Sequence, residues 1–125
     1  MPKDKLSPSL EDYLESIYVI KKEQDIVRAT ELAKRLNVSL PSVTEAVKKL
    51  SKKKLLKYKK YGDIVLSAEG KSIAKGVYHK HNLLLNFFIC KLKVSKNIAE
   101  RDACRIEHML SPATLDKLTK FLDAK

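Results

Sequence analysis

The chain has 125 residues with 26 lysines and arginines against 15 acidic residues, a formal net charge of +11 and a pI near 9.7. That length holds one good core, or a small DNA-binding domain plus a helical appendage, and it is short for a catalytic cleft. The basic balance calls for an anionic partner, and two cysteines, Cys90 and Cys104, are too few for a disulfide framework, so a reducing cytoplasm is expected. The start of the chain is polar and charged, unlike a signal peptide. The longest apolar run, Leu83–Cys90, is interrupted by Asn86 and is too short to span a bilayer, so no membrane association is expected.

Ser7-Pro8-Ser9 opens a helix predicted from about Leu10 to Gln24, with Leu10, Leu14, Ile17 and Tyr18 as its apolar stripe and Tyr13 and Ile20 near its edges. Thr30 is the expected cap of a short helix, Glu31–Leu36. Asn37-Val38-Ser39 makes a turn, and Ser39 caps a longer helix reaching about Lys53. Pro41 is tolerated in its first turn, where the missing N–H has no intrahelical partner. Val43, Ala46, Val47 and Leu50 give this helix a buried face. Helix, tight turn and helix in this order form a DNA-reading unit.

Two short β-prone runs between Leu55 and Leu66 flank a Gly62-Asp63 turn and read as a hairpin wing. Ser67 caps a long helix from Ala68 to about Lys91, and Val94-Ser95 breaks it. A helix from Lys96 to Leu110 follows, and Ser111-Pro112 starts a last one, Ala113–Leu122. The expected fold is mainly α, a winged helix-turn-helix over residues 1–70 followed by a helical metal-binding and dimerisation domain over residues 71–125.

Between Lys21 and Tyr61 there are 13 lysines and arginines against 4 acids, a net of +9, so most of the excess charge lies in the third of the chain that holds the helix-turn-helix and wing. Ser39, Pro41, Ser42, Thr44 and Glu45 are the residues expected to face the major groove of double-stranded DNA. Lys48, Lys49 and Lys52 follow along the phosphates, Arg28 and Lys34 reach the flanking backbone, and Lys57, Lys59 and Lys60 arm the wing. Glu45 stands out among them: a carboxylate can accept from a cytosine amino group but repels phosphate.

Cys104, Glu107 and His108 are spaced i, i+3, i+4, which on a helix puts a thiolate, a carboxylate and an imidazole on one face. Core packing does not ask for that combination; a divalent transition metal does. Asp12 and Glu15 share a face of the first helix, with acidic residues favoured in a first turn in any case. His81 stands beside an apolar run of the third long helix. Phe87, Phe88, Ile89 and Leu92, with Leu110, Leu115, Leu118 and Phe121, are more apolar surface than so thin an appendage can bury by itself, and they are expected to meet a second copy of the chain. Cys90 reads as a small buried hydrophobe.

The run SLEDYLESIY over residues 9–18, the segment SLPSVT over 39–44, the wing ending Val65-Leu66-Ser67 and CRIEH over 104–108 resemble, in this order, the diphtheria-toxin-repressor/manganese-transport-regulator (DtxR/MntR) family of metal-dependent repressors. The resemblance spans nearly the whole chain. It implies a homodimer that binds its operator when loaded with Mn(II) or Fe(II) and switches off metal-uptake genes, in the two-domain form without an SH3-like domain. By position it implies Asp12, Glu15, His81, Glu107 and His108 as ligands of the manganese-sensing branch. Cys104 stands where that branch has a carboxylate and the iron-sensing branch a cysteine; Asp12 stands where the iron branch has a methionine. Leu85 occupies a position where many relatives carry a glutamate of an ancillary metal site. The competing reading is a metal-independent winged-helix regulator in which Cys104 and His108 are merely packed. The pattern C-x-x-E-H also has a superficial likeness to zinc hydrolases, but an enzyme is not expected from so short a chain.

Overall fold

The computed structural model describes residues 6–59 and 62–123. The order of elements is α1 (Pro8–Glu23), α2 (Ala29–Leu36), α3 (Leu40–Lys52), β1 (Leu56–Tyr58), β2 (Ile64–Leu66), α4 (Ala68–Asn86), a π-helical turn (Phe87–Lys91), α5 (Lys96–Ile106) and α6 (Pro112–Asp123). The chain divides into two compact units between Lys75 and Gly76, inside α4.

In the first unit α1, α2 and α3 pack on one another and on the two-stranded sheet. Leu14, Ile17, Val27, Leu32, Val43, Val47, Leu50 and Ile64 are fully buried and form its core. Tyr13 and Ile20, expected near the edge of the α1 stripe, are buried as well, and burial raises the Tyr13 phenol above the usual tyrosine value. The Ser7 side chain accepts from the Leu10 N–H at the start of α1, and Ser39 Oγ does the same for the Ser42 N–H at the start of α3. Helix α2 begins earlier than the sequence suggests. Its cap is the Glu31 carboxylate accepting from the Arg28 N–H at 2.9 Å, so Thr30 lies within the first turn instead of preceding it. That bond comes first in holding the Glu31 carboxyl below the usual glutamate value, followed by the Gln24 amide. Asn37 ends α2 in the left-handed region (φ 56°), a conformation asparagine tolerates, and redirects the chain into α3.

The wing pairs antiparallel in the register Leu56 with Leu66, Lys57 with Val65 and Tyr58 with Ile64. It is held to the helices by an aspartate. Asp63 accepts from the Val27 N–H at 2.9 Å and receives Lys21 Nζ on both carboxylate oxygens at 3.1 Å, while the Ile64 N–H donates to the Val27 carbonyl at 2.8 Å. Burial alone would raise the Asp63 carboxyl. The Val27 and Lys21 hydrogen bonds, with the charges of Lys21 and Lys59, hold it below the usual aspartate range. After the wing, Ser67 Oγ caps α4 by accepting from the Gly70 N–H at 3.0 Å. A Cβ on Gly70 would come within 2.0 Å of the Leu55 carbonyl oxygen, so only glycine lets α4 start this close to the wing.

The second unit has a thin core, with Val77, Leu84, Ala99 and Ala103 buried. Three expectations fail here. Helix α4 does not continue in α form to Lys91: the Leu92 N–H reaches back to the Phe87 carbonyl (3.1 Å), five residues away, opening a wider turn. That turn shifts the helical phase, and Cys90, expected to be buried, is exposed. Helix α5 stops at Ile106 instead of Leu110. Glu107 keeps helical dihedrals and its N–H bonds to Ala103, but His108 lies in the turn beyond. The reason is Ser111, whose side chain accepts from the Thr114 N–H at 3.2 Å to cap α6 ahead of Pro112. A capping residue is extended, so the preceding residues must leave the helix.

Candidate metal centre and DNA-binding face

Glu107 is fully buried at the C-terminal end of α5. Its Oε1 lies 2.6 Å from His81 Nδ1 of α4, and the other ring nitrogen of His81 lies 2.7 Å from Glu100 Oε1. Its Oε2 is buried with no hydrogen-bond partner and stands 3.5 Å from His108 Nε2, beyond ordinary hydrogen-bond length. A buried carboxylate oxygen left in this state is costly unless a cation completes it. Two imidazoles and a carboxylate suit a divalent first-row ion, so the donors present fit a metal. Glu107 is close enough to His81, and separately to His108, for the paired donor atoms to lie within 4.8 Å of one another.

Glu100 is the residue that sequence reading missed. It sits four residues before Cys104 and seven before Glu107, on the face already singled out, so its spacing was a usable signal. A carboxylate behind a metal-binding imidazole fixes the ring's orientation and raises its basicity. Cys104 is exposed on α5, one turn before the Glu107–His108 pair. The idea of Cys104, Glu107 and His108 as three residues of one helical face is corrected by the early end of α5, which leaves His108 off the helix. In the other unit, Asp12 and Glu15 are half-buried, three residues apart on α1.

The DNA-facing residues also have a definite place. Helix α3 buries Val43, Ala46, Val47 and Leu50 and exposes Ser39, Pro41, Ser42, Thr44, Glu45, Lys48, Lys49 and Lys52 around its start and along its outer side. Arg28 and Lys34 of the preceding segment are exposed, as are Lys57 and Lys59 on either side of Tyr58 in the wing. Lys60 lies outside the described residues. Leu40, Pro41, Thr44, Glu45 and Lys48 line a shallow depression of about 450 Å³ at the head of α3.

Phe87, Phe88, Leu110, Leu118 and Phe121, all expected at a dimer interface, line one groove of about 540 Å³ together with Leu84, Ile106, Thr114 and Lys117. Phe87 packs edge-on against Phe121 with ring centroids 6.0 Å apart. Ile89, Leu115 and Leu118 are half-buried, and Leu92 is 55% exposed. Neither the π-helical turn nor α6 contributes a buried residue.

A helix-turn-helix with a wing, followed by helices that carry a buried carboxylate between imidazoles, matches a known pairing of domains. Residues 5–64 match the iron dependent repressor N-terminal DNA binding domain, and residues 67–124 match the iron dependent repressor metal binding and dimerisation domain. The chain belongs to this family of metal-dependent transcriptional repressors, as the resemblance in its sequence implied. It is 37% identical over 119 residues to an HTH-type transcriptional regulator of Methanocaldococcus jannaschii, covering 94% of this chain and 95% of that protein. To the HTH-type transcriptional regulator MntR of Geobacillus kaustophilus it is 38% identical over 112 residues, 90% of this chain and 79% of that one. The solved manganese regulator SloR superposes with a TM-score of 0.84 at 30% identity, covering 94% of this chain and 55% of SloR. The chain thus spans about half the length of that regulator. Among the described residues no helix is long and apolar enough to cross a membrane.

Proposed function

We propose that this protein is a homodimeric repressor of the cytoplasm, without enzymatic activity, that binds a double-stranded operator when loaded with Mn(II) or Fe(II) and silences genes for metal-ion uptake. The observation that carries this reading is Glu107, a buried carboxylate with one oxygen on His81 and the other facing His108 without a hydrogen bond. His81, Glu107 and His108 would hold the ion, and the sequence resemblance adds Asp12, Glu15 and Cys104 to the ligand set. A bound divalent cation supplies positive charge to several carboxylates at once. Oxygen ligands favour Mn(II), and a thiolate at Cys104 draws the preference toward Fe(II).

A metal-loaded dimer would present its two recognition helices at successive major grooves about 34 Å apart. Metal and operator then tighten each other's binding by one common factor, on the order of 1–3 kcal/mol. Phe87, Phe88, Ile89, Leu92, Leu110, Leu115, Leu118 and Phe121 form the surface that the second copy covers.

Anaerobic capture of sheared genomic DNA, run in parallel with chelator, Mn(II) and Fe(II), tests the reading. Enrichment of a few loci with metal alone is expected, and the more effective ion identifies the signal. Equal enrichment with chelator would leave a winged-helix regulator in which the Glu107 cluster has no sensing role.

A further inference from the structure

The head of the recognition helix has fewer free hydrogen-bonding groups than its sequence offers. Ser39 Oγ accepts from the Ser42 N–H at 3.2 Å and donates to Ser42 Oγ at 2.9 Å, and Thr44 Oγ1 donates to the Leu40 carbonyl at 3.1 Å. Ser39 and Thr44 thus spend their hydroxyl protons inside the helix end, whereas Ser42 Oγ accepts there and keeps its own proton. Leu40 and Pro41 bring no polar side-chain atoms. The exposed face of α3 carries no arginine, asparagine or glutamine, the side chains that bind guanine or adenine with two parallel hydrogen bonds. What remains in the depression at the helix head is Glu45 and Lys48, both exposed and one helical turn apart. Among the described residues they form no ion pair, with each other or with another side chain.

We infer that Glu45 and Lys48 together read one C·G base pair in the major groove and supply the main hydrogen-bonded base recognition of the operator. A carboxylate brought up to a polyphosphate is repelled unless a base donates to it. The donors in the major groove are the cytosine and adenine amino groups. Adenine sets its N7 acceptor beside that amino group, where it opposes the second carboxylate oxygen; cytosine has a C–H there. The partner of cytosine is guanine, which displays two acceptors, O6 and N7, suited to an ammonium. Glu45 therefore takes the cytosine and Lys48 the guanine opposite. A T·A pair in the same place gives the carboxylate no donor on thymine and gives the ammonium only the adenine N7. The pairing rests on the operator-binding reading above, and it adds to that reading which residues choose the base.

The test is selection from a randomised duplex library by the full-length protein with Mn(II) or Fe(II), repeated with Glu45→Gln and Lys48→Ala. Both side chains are exposed, so both variants are expected to keep the wild-type melting temperature. The wild type should recover a motif with an invariant C·G pair in each half-site. Glu45→Gln should relax or shift that position to A·T, with a change of about tenfold or more in the ratio of affinities for the two sequences. Lys48→Ala should weaken preference at the same pair. An unchanged motif for Glu45→Gln, or equal tightening on every sequence, would overturn the inference and leave Glu45 as a mere repulsive charge. If the metal-loaded wild type recovers no motif at all, the operator-binding reading itself fails, and this inference with it.

Discussion

Among the described residues Glu107 is the one fully buried charged side chain, and it has one carboxylate oxygen without a hydrogen bond. A group in that state is retained when function requires it, because burying a charge without full compensation is unfavourable. Replacing Glu107 by Gln, or His108 by Ala, should leave helical content by circular dichroism unchanged and abolish metal-stimulated operator binding. Normal stimulation in either variant would remove the proposed site. Glu100 acts one step further out: with its oxygen 2.7 Å from His81 Nε2, it orients the ring whose other nitrogen meets Glu107. Glu100→Gln should weaken Mn(II) binding by about 10–100-fold in titration calorimetry while the unfolding temperature of the metal-free protein stays where it was. A variant with unaltered metal affinity would show that the Glu100–His81 contact is incidental.

At the scale of elements, the wing is a three-residue-by-three-residue hairpin, too small to be stable by itself. Its position comes from Asp63, which ties it to Lys21 at the end of α1 and to Val27 ahead of α2. The Asp63 carboxyl is held below its ordinary value in the fold. The stability it contributes is therefore present above the unfolded aspartate value, about pH 4, and is lost as pH falls through the lower folded value. In urea unfolding, Asp63→Asn should be less stable than wild type at pH 6, with the gap closing as the pH approaches 3. A gap independent of pH would mean that the carboxylate charge is not what pins the wing.

For the whole molecule, charge and apolar surface set two separate behaviours. The exposed lysines of α3 and the wing are the groups expected to bind phosphate by releasing counterions. With about six phosphate contacts, operator affinity should fall by about 10³ between 50 and 200 mM salt, read by fluorescence anisotropy. A nearly flat salt dependence would place the basic face elsewhere than on DNA. The groove between the π-helical turn and α6 has Phe121 54% exposed on its rim, a large apolar group that a monomer leaves in water. Phe121→Lys should convert the dimer to monomer in sedimentation velocity and lose operator binding, with metal affinity of the Glu107 cluster retained. A dimer unaffected by that charge would put the interface on another face.

Much of this protein follows from sequence alone. Apolar periodicity located α1 and α3, Ser7, Ser39 and Ser67 marked the starts of α1, α3 and α4, and the asymmetric charge pointed to DNA. The first two signals are local, set by residues within one or two helical turns of each other, and the third is a sum of charges over residues 21–61 that needs no fold. The family was legible for a related reason, since its motifs are short runs in a fixed order. The tertiary structure decided what depends on distant partners. Asp63 binds residues 36 and 42 positions away, which no local pattern reveals. The end of α5 at Ile106 was fixed by the competing cap at Ser111, and the wide turn at Phe87–Lys91 turned Cys90 outward. The bonds that Ser39 and Thr44 make within α3 took hydroxyl protons that the sequence assigned to DNA, while among the described residues Glu45 and Lys48 form no ion pair. Sequence determines which chemical groups a segment offers; folding decides which of them are already engaged, because each donor and acceptor finds its partner in three dimensions.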